Sequence, residues 1–270
     1  MSNQSEKRVL IAPLDWGLGH ATRCIPVIQS LISHGIKIYI AAEGRIKNLL
    51  KNEFPNAVFL PLPEYKIRYA KSARVLPFII GIQLPKILKR IRQEHIWLQK
   101  IIETHRLDAV ISDNRFGLFS KKIPCIYITH QLSVFTGNFL ADRIATRLHQ
   151  SIIGKYDQCW IPDAASDGLA GKLSHPKKMP TNARYIGPLS RLEPLLLEKK
   201  YEWLISLSGP EPQRTILEKK RFFTTPFFRR KYFNHPWSAG RKYCYGSTIK
   251  CHDSQPFECF TIQSCSGFER

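Results

Sequence analysis

Residues 8–26 read RVLIAPLDWGLGHATRCIP. Arg8 to Leu14 is a short apolar run bounded by charge and by turn residues, the pattern of a parallel strand buried on both faces. Asp15-Trp16-Gly17-Leu18-Gly19 follows as a tight loop. From His20 onward, Ile25, Ile28, Leu31 and Ile32 share one helical face, and Gly35 supplies the stop. A glycine loop between a strand and a helix exposes backbone N–H groups and the positive end of the helix, where anions bind readily. Gly17 and Gly19 let a ligand approach the backbone closely.

Working outward, the alternation repeats. Ile36 to Ala42 reads as a strand, Arg45 to Lys51 as a short helix and Ala57 to Leu60 as a third strand. This βαβαβ unit is half of a doubly wound parallel sheet. A long amphipathic helix is predicted over about Gln83 to His105. Further strands are predicted over Ala109 to Ile111, Ile123 to Ile128, Gln158 to Ile161 and Ala183 to Ile186, and a helix over Phe139 to Ser151. The fold class is therefore α/β and Rossmann-like. The first domain is expected over residues 1–188 and a linker over 189–200. The pattern restarts at 201–220, with a strand at Trp203 to Leu207, a turn at Ser208-Gly209-Pro210 and a helix from Glu211.

The composition changes sharply at about residue 220. Residues 1–220 hold 61 Ile, Leu and Val, whereas residues 221–270 hold only Ile249 and Ile262. The same fifty residues carry twelve of the thirty aromatics and four of the seven cysteines, with no helical or strand period. Ordering fifty residues costs roughly 75 kcal/mol, at about 1.5 kcal/mol each. Twelve buried aromatics at ~3 kcal/mol apiece would offset about half of that. Residues 221–270 are therefore expected to be irregular, the product of an out-of-frame end to the gene or, alternatively, a natural cysteine-rich tail. The gaps between Cys244, Cys251, Cys259 and Cys265 match no standard zinc spacing.

The formal charge of +20 favours anionic partners. No recognition-helix motif, basic-aromatic strand signature or zinc module points to specific nucleic-acid binding. The polar start, Met1 to Arg8, shows no secretory signal, and the longest apolar run, Val75 to Leu84, is too short for a membrane span. A cytoplasmic location is expected. Residues 66–106 interleave cations such as Lys86, Lys89 and Arg90 with Ile82, Leu84 and Leu88. Such a segment either lies on an anionic membrane surface or forms a core helix with a solvated basic face.

His20 at the mouth of the glycine loop can accept a hydroxyl proton near neutral pH. It needs a partner that fixes its tautomer, usually a carboxylate. Asp113 ends the strand AVISD on the edge where His20 follows the first strand, the edge where open α/β sheets bind ligands. The alternative is that His20 caps its helix and Asp113 holds a turn. A nicotinamide site, with Glu43 as the ribose acid, lacks its third glycine because Thr22 occupies that place.

DWGLGHATRCIP, ISDNRFGL, YITHQL, IGPLSR and SLSGPEPQRT together resemble the amino-terminal half of a GT-B glycosyltransferase, of the style of the bacterial peptidoglycan N-acetylglucosaminyl transferase. The resemblance spans about residues 7–218. It departs where relatives read Gly-His-x-x-Pro: here Arg23 stands in the proline position and Pro26 follows later. It implies that His20 is, or sits beside, the catalytic base, paired with Asp113. Gly17, Gly19, Thr129, His130 and Gln131 would line the acceptor side. Ser208, Gly209 and Arg214, with Glu211 and Gln213, would approach the donor diphosphate. The implied partners are a nucleotide sugar, read as a UDP-sugar, and a hydroxyl acceptor of lipid-linked type at the inner face of a membrane. No cofactor is implied, the donor being a substrate, and no metal is strictly required. The donor domain of such an enzyme should match the first in size, so this chain is expected to be incomplete in it. A non-catalytic α/β binding module or inactive remnant is the rival reading.

Overall fold

The computed structural model describes residues 6–65, 76–192, 204–206, 215–216, 244–245 and 259–263. The chain divides into two compact units, Met1–Glu193 and Pro194–Arg270. This places the boundary five residues beyond the end of the domain read from the sequence.

The first unit alternates strands and helices. In chain order these are β1 (Arg8–Pro13), α1 (Leu18–Ser33), β2 (Lys37–Ala41), α2 (Gly44–Glu53), β3 (Val58–Leu60), α3 (Leu76–His105), β4 (Ala109–Asp113), β5 (Cys125–Ile128), α4 (Phe139–Ile153), β6 (Gln158–Ile161) and β7 (Ala183–Tyr185). The seven strands form one sheet in the order β3-β2-β1-β4-β5-β6-β7, and every pair is parallel. The α/β, doubly wound reading of the sequence is what the chain forms.

Side-chain alternation along the central strands divides the core into two layers. Val9, Ile11, Ile38, Ile40 and Ile111 pack with Ala21, Cys24, Ile25 and Ile28 of α1 and with Ile46 and Leu50 of α2. Leu10, Ala12, Tyr39, Val110 and Tyr127 pack on the other face with Leu98 and Ile102 of α3 and Ile153 of α4. One pair of helices thus covers each face, which is why these strands read as nearly continuous apolar runs.

Helix α3 begins at Leu76 rather than near Gln83. Pro77 sits in its first turn, where the missing N–H costs nothing, and Pro85 lies inside it. Glu94 is buried, pairs with buried Arg115 at 2.7 Å, and accepts from the Tyr65 hydroxyl at 2.6 Å and the Gly117 N–H at 3.1 Å.

Sheet order fixes where a ligand can bind. Strand β1 lies between β2 and β4, so successive crossovers leave it in opposite directions and open a crevice beyond the carboxyl ends of β1 and β4. Register brings Pro13 level with Asp113, and Asp113 level with Ile128. The loops after β1, β4 and β5 therefore start from one edge.

In the second unit, β8 (Leu204–Ser206) and β9 (Cys244–Tyr245) both pair antiparallel with β10 (Cys259–Gln263). Residues 221–270, read as irregular, contribute two of these strands. In β10, Phe260 and Ile262 alternate with Thr261 and Gln263, a strand signal too short to stand out in so aromatic-rich a segment. The predicted turn and helix over 208–220 lie, except for residues 215–216, outside the described residues.

Candidate functional site

Helix α1 starts at the switch point with Gly17 as its N-cap and no side-chain cap. No acidic residue lies in its first turn. A Cβ at Gly17 or Gly19 would meet nothing within 4 Å. Packing does not demand glycine at position 19, which leaves an open approach to the backbone, whereas Gly17 has a φ of +158° that side chains rarely adopt.

His20 and Arg23 lie three residues apart on one face of α1, and both turn toward Asp113. Asp113 is completely buried. The Arg23 Nε donates to Asp113 Oδ2 at 2.7 Å, and Nη2 donates to Oδ1. His20 Nδ1 lies 3.2 Å from both carboxylate oxygens and 2.7 Å from Arg23 Nη2. Arg23 Nη1 reaches His130 Nδ1 at 3.0 Å. The His20 side chain keeps 17% of its surface exposed and that of Arg23 13%, so the cluster is closed below and open at its rim.

The electrostatics follow from that geometry. Burial alone would push the Asp113 carboxyl up, but the Arg23 guanidinium outweighs it and holds the group below its ordinary value. Burial likewise opposes the charge on Arg23, and Asp113 more than compensates, so the guanidinium is raised. Burial, then Arg23 and then His20 push the His130 imidazole down. Cys24, beneath the cluster, is fully buried and its thiol is pushed well up, first by burial and then by Asp113. It is a packing residue with no thiolate to offer.

The residues marked in the sequence divide three ways. His20, Asp113 and His130 come together, with Gly17 and Gly19 beside them on the same loop. Thr129 and Gln131 shape the neighbouring loop: Thr129 is fully buried, and its hydroxyl accepts the Gln131 N–H at 3.0 Å. The Thr129 hydroxyl therefore forms the turn and does not face a ligand, while Gln131 is half-buried. Ser208, Gly209, Glu211, Gln213 and Arg214 lie outside the described residues.

Arg23 is the residue that sequence reading passed over. It figured only as a departure from Gly-His-x-x-Pro, although a cation three residues after the histidine on one helix could have signalled a shared partner. Among the described residues, no group of three His, Cys, Asp or Glu side chains is placed to hold a metal ion.

No family model matches the chain. An uncharacterized glycosyltransferase of Methanosarcina acetivorans is 25% identical over 198 residues, which are 68% of this chain and 50% of that protein. The chain thus spans about half the length of the curated relative it matches. Among solved structures it is similar to MurG of Acinetobacter baumannii, at 15% identity and a TM-score of 0.40, covering 69% of this chain and 46% of that one. A glycosyltransferase of Rickettsia africae is 14% identical with a TM-score of 0.43, over 68% of this chain and 43% of that one. A protein crystallised in complex with UDP, LpCGTa, is 14% identical with a TM-score of 0.44, over 68% and 53%. The resemblance to glycosyltransferases read from the sequence motifs is thus met in the relative as well.

Proposed function

We propose that this chain carries the acceptor-side half of a glycosyltransferase that moves a sugar from a nucleotide-sugar donor, of the UDP-sugar type, to a hydroxyl with inversion. One observation carries the reading: His20, Arg23 and Asp113 converge at the topological switch point, beside the glycine loop that opens α1. A likeness to a glycosyltransferase relative supports the reaction class.

In this mechanism the acceptor hydroxyl lies against His20, which takes its proton as the oxygen attacks the anomeric carbon. A positioned base of this kind contributes ~10²–10⁴ in rate. Asp113 receives the Nδ1–H of the imidazole and steadies the positive charge that develops. By the resemblance, Ser208, Gly209 and Arg214 would meet the negative charge of the departing diphosphate.

The second reading is a non-catalytic α/β module that binds the acceptor without turnover. Titration with UDP-sugars and hydroxyl acceptors separates the two. Acceptor-dependent release of UDP supports the transferase, and saturable acceptor binding with no release supports the module. Release that needs no acceptor, or no binding of either ligand, contradicts both.

A lipid-linked acceptor at an anionic membrane surface is part of the same proposal. Ile82, Leu84 and Leu88 are exposed on α3 among Lys86, Lys89 and Arg90, and no described helix is long and apolar enough to cross a membrane. Each cation near such a surface adds about 1 kcal/mol. Sedimentation with anionic liposomes should be strong at low salt and fall as salt rises. Equal sedimentation with neutral liposomes would contradict this part.

A further inference from the structure

The histidine at the centre of this site is shared between two partners that want opposite things from it. A guanidinium carries hydrogen-bond donors only and keeps its proton at any pH the fold survives. A nitrogen within hydrogen-bond distance of it must therefore offer a lone pair. Arg23 Nη2 is 2.7 Å from His20 Nδ1, closer than either Asp113 oxygen at 3.2 Å. Those oxygens are already engaged by Arg23 Nε and Nη2, and Oδ2 also faces the Cys24 thiol at 3.7 Å. Nδ1 meets both at one long distance, a split arrangement with no single acceptor. The nearer partner is the cation.

We propose that Arg23 is a positioning residue that fixes the tautomer of His20, holding Nδ1 as an acceptor and the ring proton on Nε2 while the site is empty. The role deepens the transferase reading and rests on it only for its consequence in the reaction. In that state Nε2 is a donor, able to bind an oxygen but not to take a proton from one. The base form arises when Nη2 withdraws from Nδ1. One proton then leaves Nε2 to solvent, one is taken up at Nδ1, and the ring stays neutral while Nδ1–H turns to Asp113. His130 is bound to the same guanidinium through its own Nδ1 at 3.0 Å, so any ligand that draws Arg23 away alters both histidines.

The arrangement differs from a simple histidine–carboxylate pair, in which the acid alone sets the tautomer. Here the acid is already neutralised by a bidentate cation, which adds geometric specificity as well as charge. Lysine would keep the charge beside Asp113. Its compact ammonium lacks the planar fork that serves the carboxylate and Nδ1 together.

The test is nitrogen NMR of the full chain labelled with 15N-histidine, with His20→Gln used to assign the His20 signals. A ring nitrogen with a lone pair and one with a proton are well separated in shift. Without ligand, Nδ1 of His20 is expected at the lone-pair position and Nε2 at the protonated one. In Arg23→Lys the lone-pair signal at Nδ1 is expected to be lost and Nε2 to gain it. A merely structural role for Arg23 would not move these signals in a folded variant. A protonated Nδ1 in the wild-type chain, or an unchanged tautomer in folded Arg23→Lys, overturns the proposal. Should Arg23→Lys not fold, wild-type chain labelled with 15N at both arginine and histidine decides: a through-hydrogen-bond coupling between Arg23 Nη2 and His20 Nδ1 upholds the proposal, and its absence or a protonated Nδ1 overturns it. A chain that transfers no sugar would sink the transferase reading and leave this result standing.

Discussion

The first unit holds two buried arginine–carboxylate pairs, Arg115–Glu94 and Arg23–Asp113. In the first, both carboxylate oxygens are filled by Arg115, the Tyr65 hydroxyl and the Gly117 N–H, and Arg115 also donates to the Pro63 carbonyl at 2.8 Å. Its side chains are 1% and 0% exposed. In the second, two histidines share the guanidinium, and the cluster opens at its rim beside the glycine loop. The Arg115–Glu94 pair ties α3 to the segment after β4, and both oxygens of its carboxylate are taken. The Arg23–Asp113 pair leaves imidazole nitrogens for something else to use. Identical charges thus do different work because one set of partners is closed and the other is not.

The largest expected effect separates the pairs by activity. His20→Ala should lower acceptor-dependent transfer by ~10²–10⁴, with the melting temperature nearly unchanged, since the side chain is at the rim. Steady-state kinetics beside thermal melting checks this, and an equal loss of stability would break the distinction.

Next comes the structural pair. Glu94→Leu leaves the Arg115 charge buried and should destabilise the chain by about 3–5 kcal/mol, measured by urea unfolding. Replacing Arg115 by Met in the same chain should recover much of the loss, because an apolar pair needs no desolvation.

Acid gives a smaller effect. The buried His149 imidazole, 3.0 Å from the Tyr127 hydroxyl, is pushed down to about 4, chiefly by burial. Its folded value lies below its unfolded one, so its contribution is full above about pH 6.5 and is lost as pH falls to about 4, roughly 3 kcal/mol in all. His149→Phe should flatten that part of the stability–pH curve. Asp113 is also lowered, so its contribution is present above the usual aspartate value and is lost only at more acid pH, below the His149 window.

The smallest effect sharpens the open side of the comparison. Gly19→Ala adds a methyl that meets nothing within 4 Å and should raise helix stability by up to about 1 kcal/mol. Ligand affinity should fall all the same, because the methyl stands where a ligand meets the backbone. Calorimetry with UDP-sugar and acceptor reads both changes.

How far the sequence carries these pairs differs for physical reasons. RVLIAPL and AVISD announce strands because both of their faces are buried, and Asp113 follows as the polar residue where β4 meets the edge. Strand ends and helix starts are local, so His20, Gly17 and Gly19 were legible. Arg23 was not, since its partner stands ninety residues away and only the order of β1 and β4 brings the two together. Glu94 was not legible as a buried partner, because nothing in a helical period reveals that Arg115 waits beneath it. Thr129 read as a polar lining residue, but the turn after β5 uses its hydroxyl internally.

The most direct measurement places the two pairs side by side: acceptor-dependent release of UDP by His20→Gln and Glu94→Gln chains, at a temperature below both melting transitions. A catalytic open cluster and a structural closed pair predict that His20→Gln loses transfer while folded and that Glu94→Gln keeps transfer while melting earlier. Undiminished transfer in His20→Gln, or an equal loss in both, would contradict the assignment.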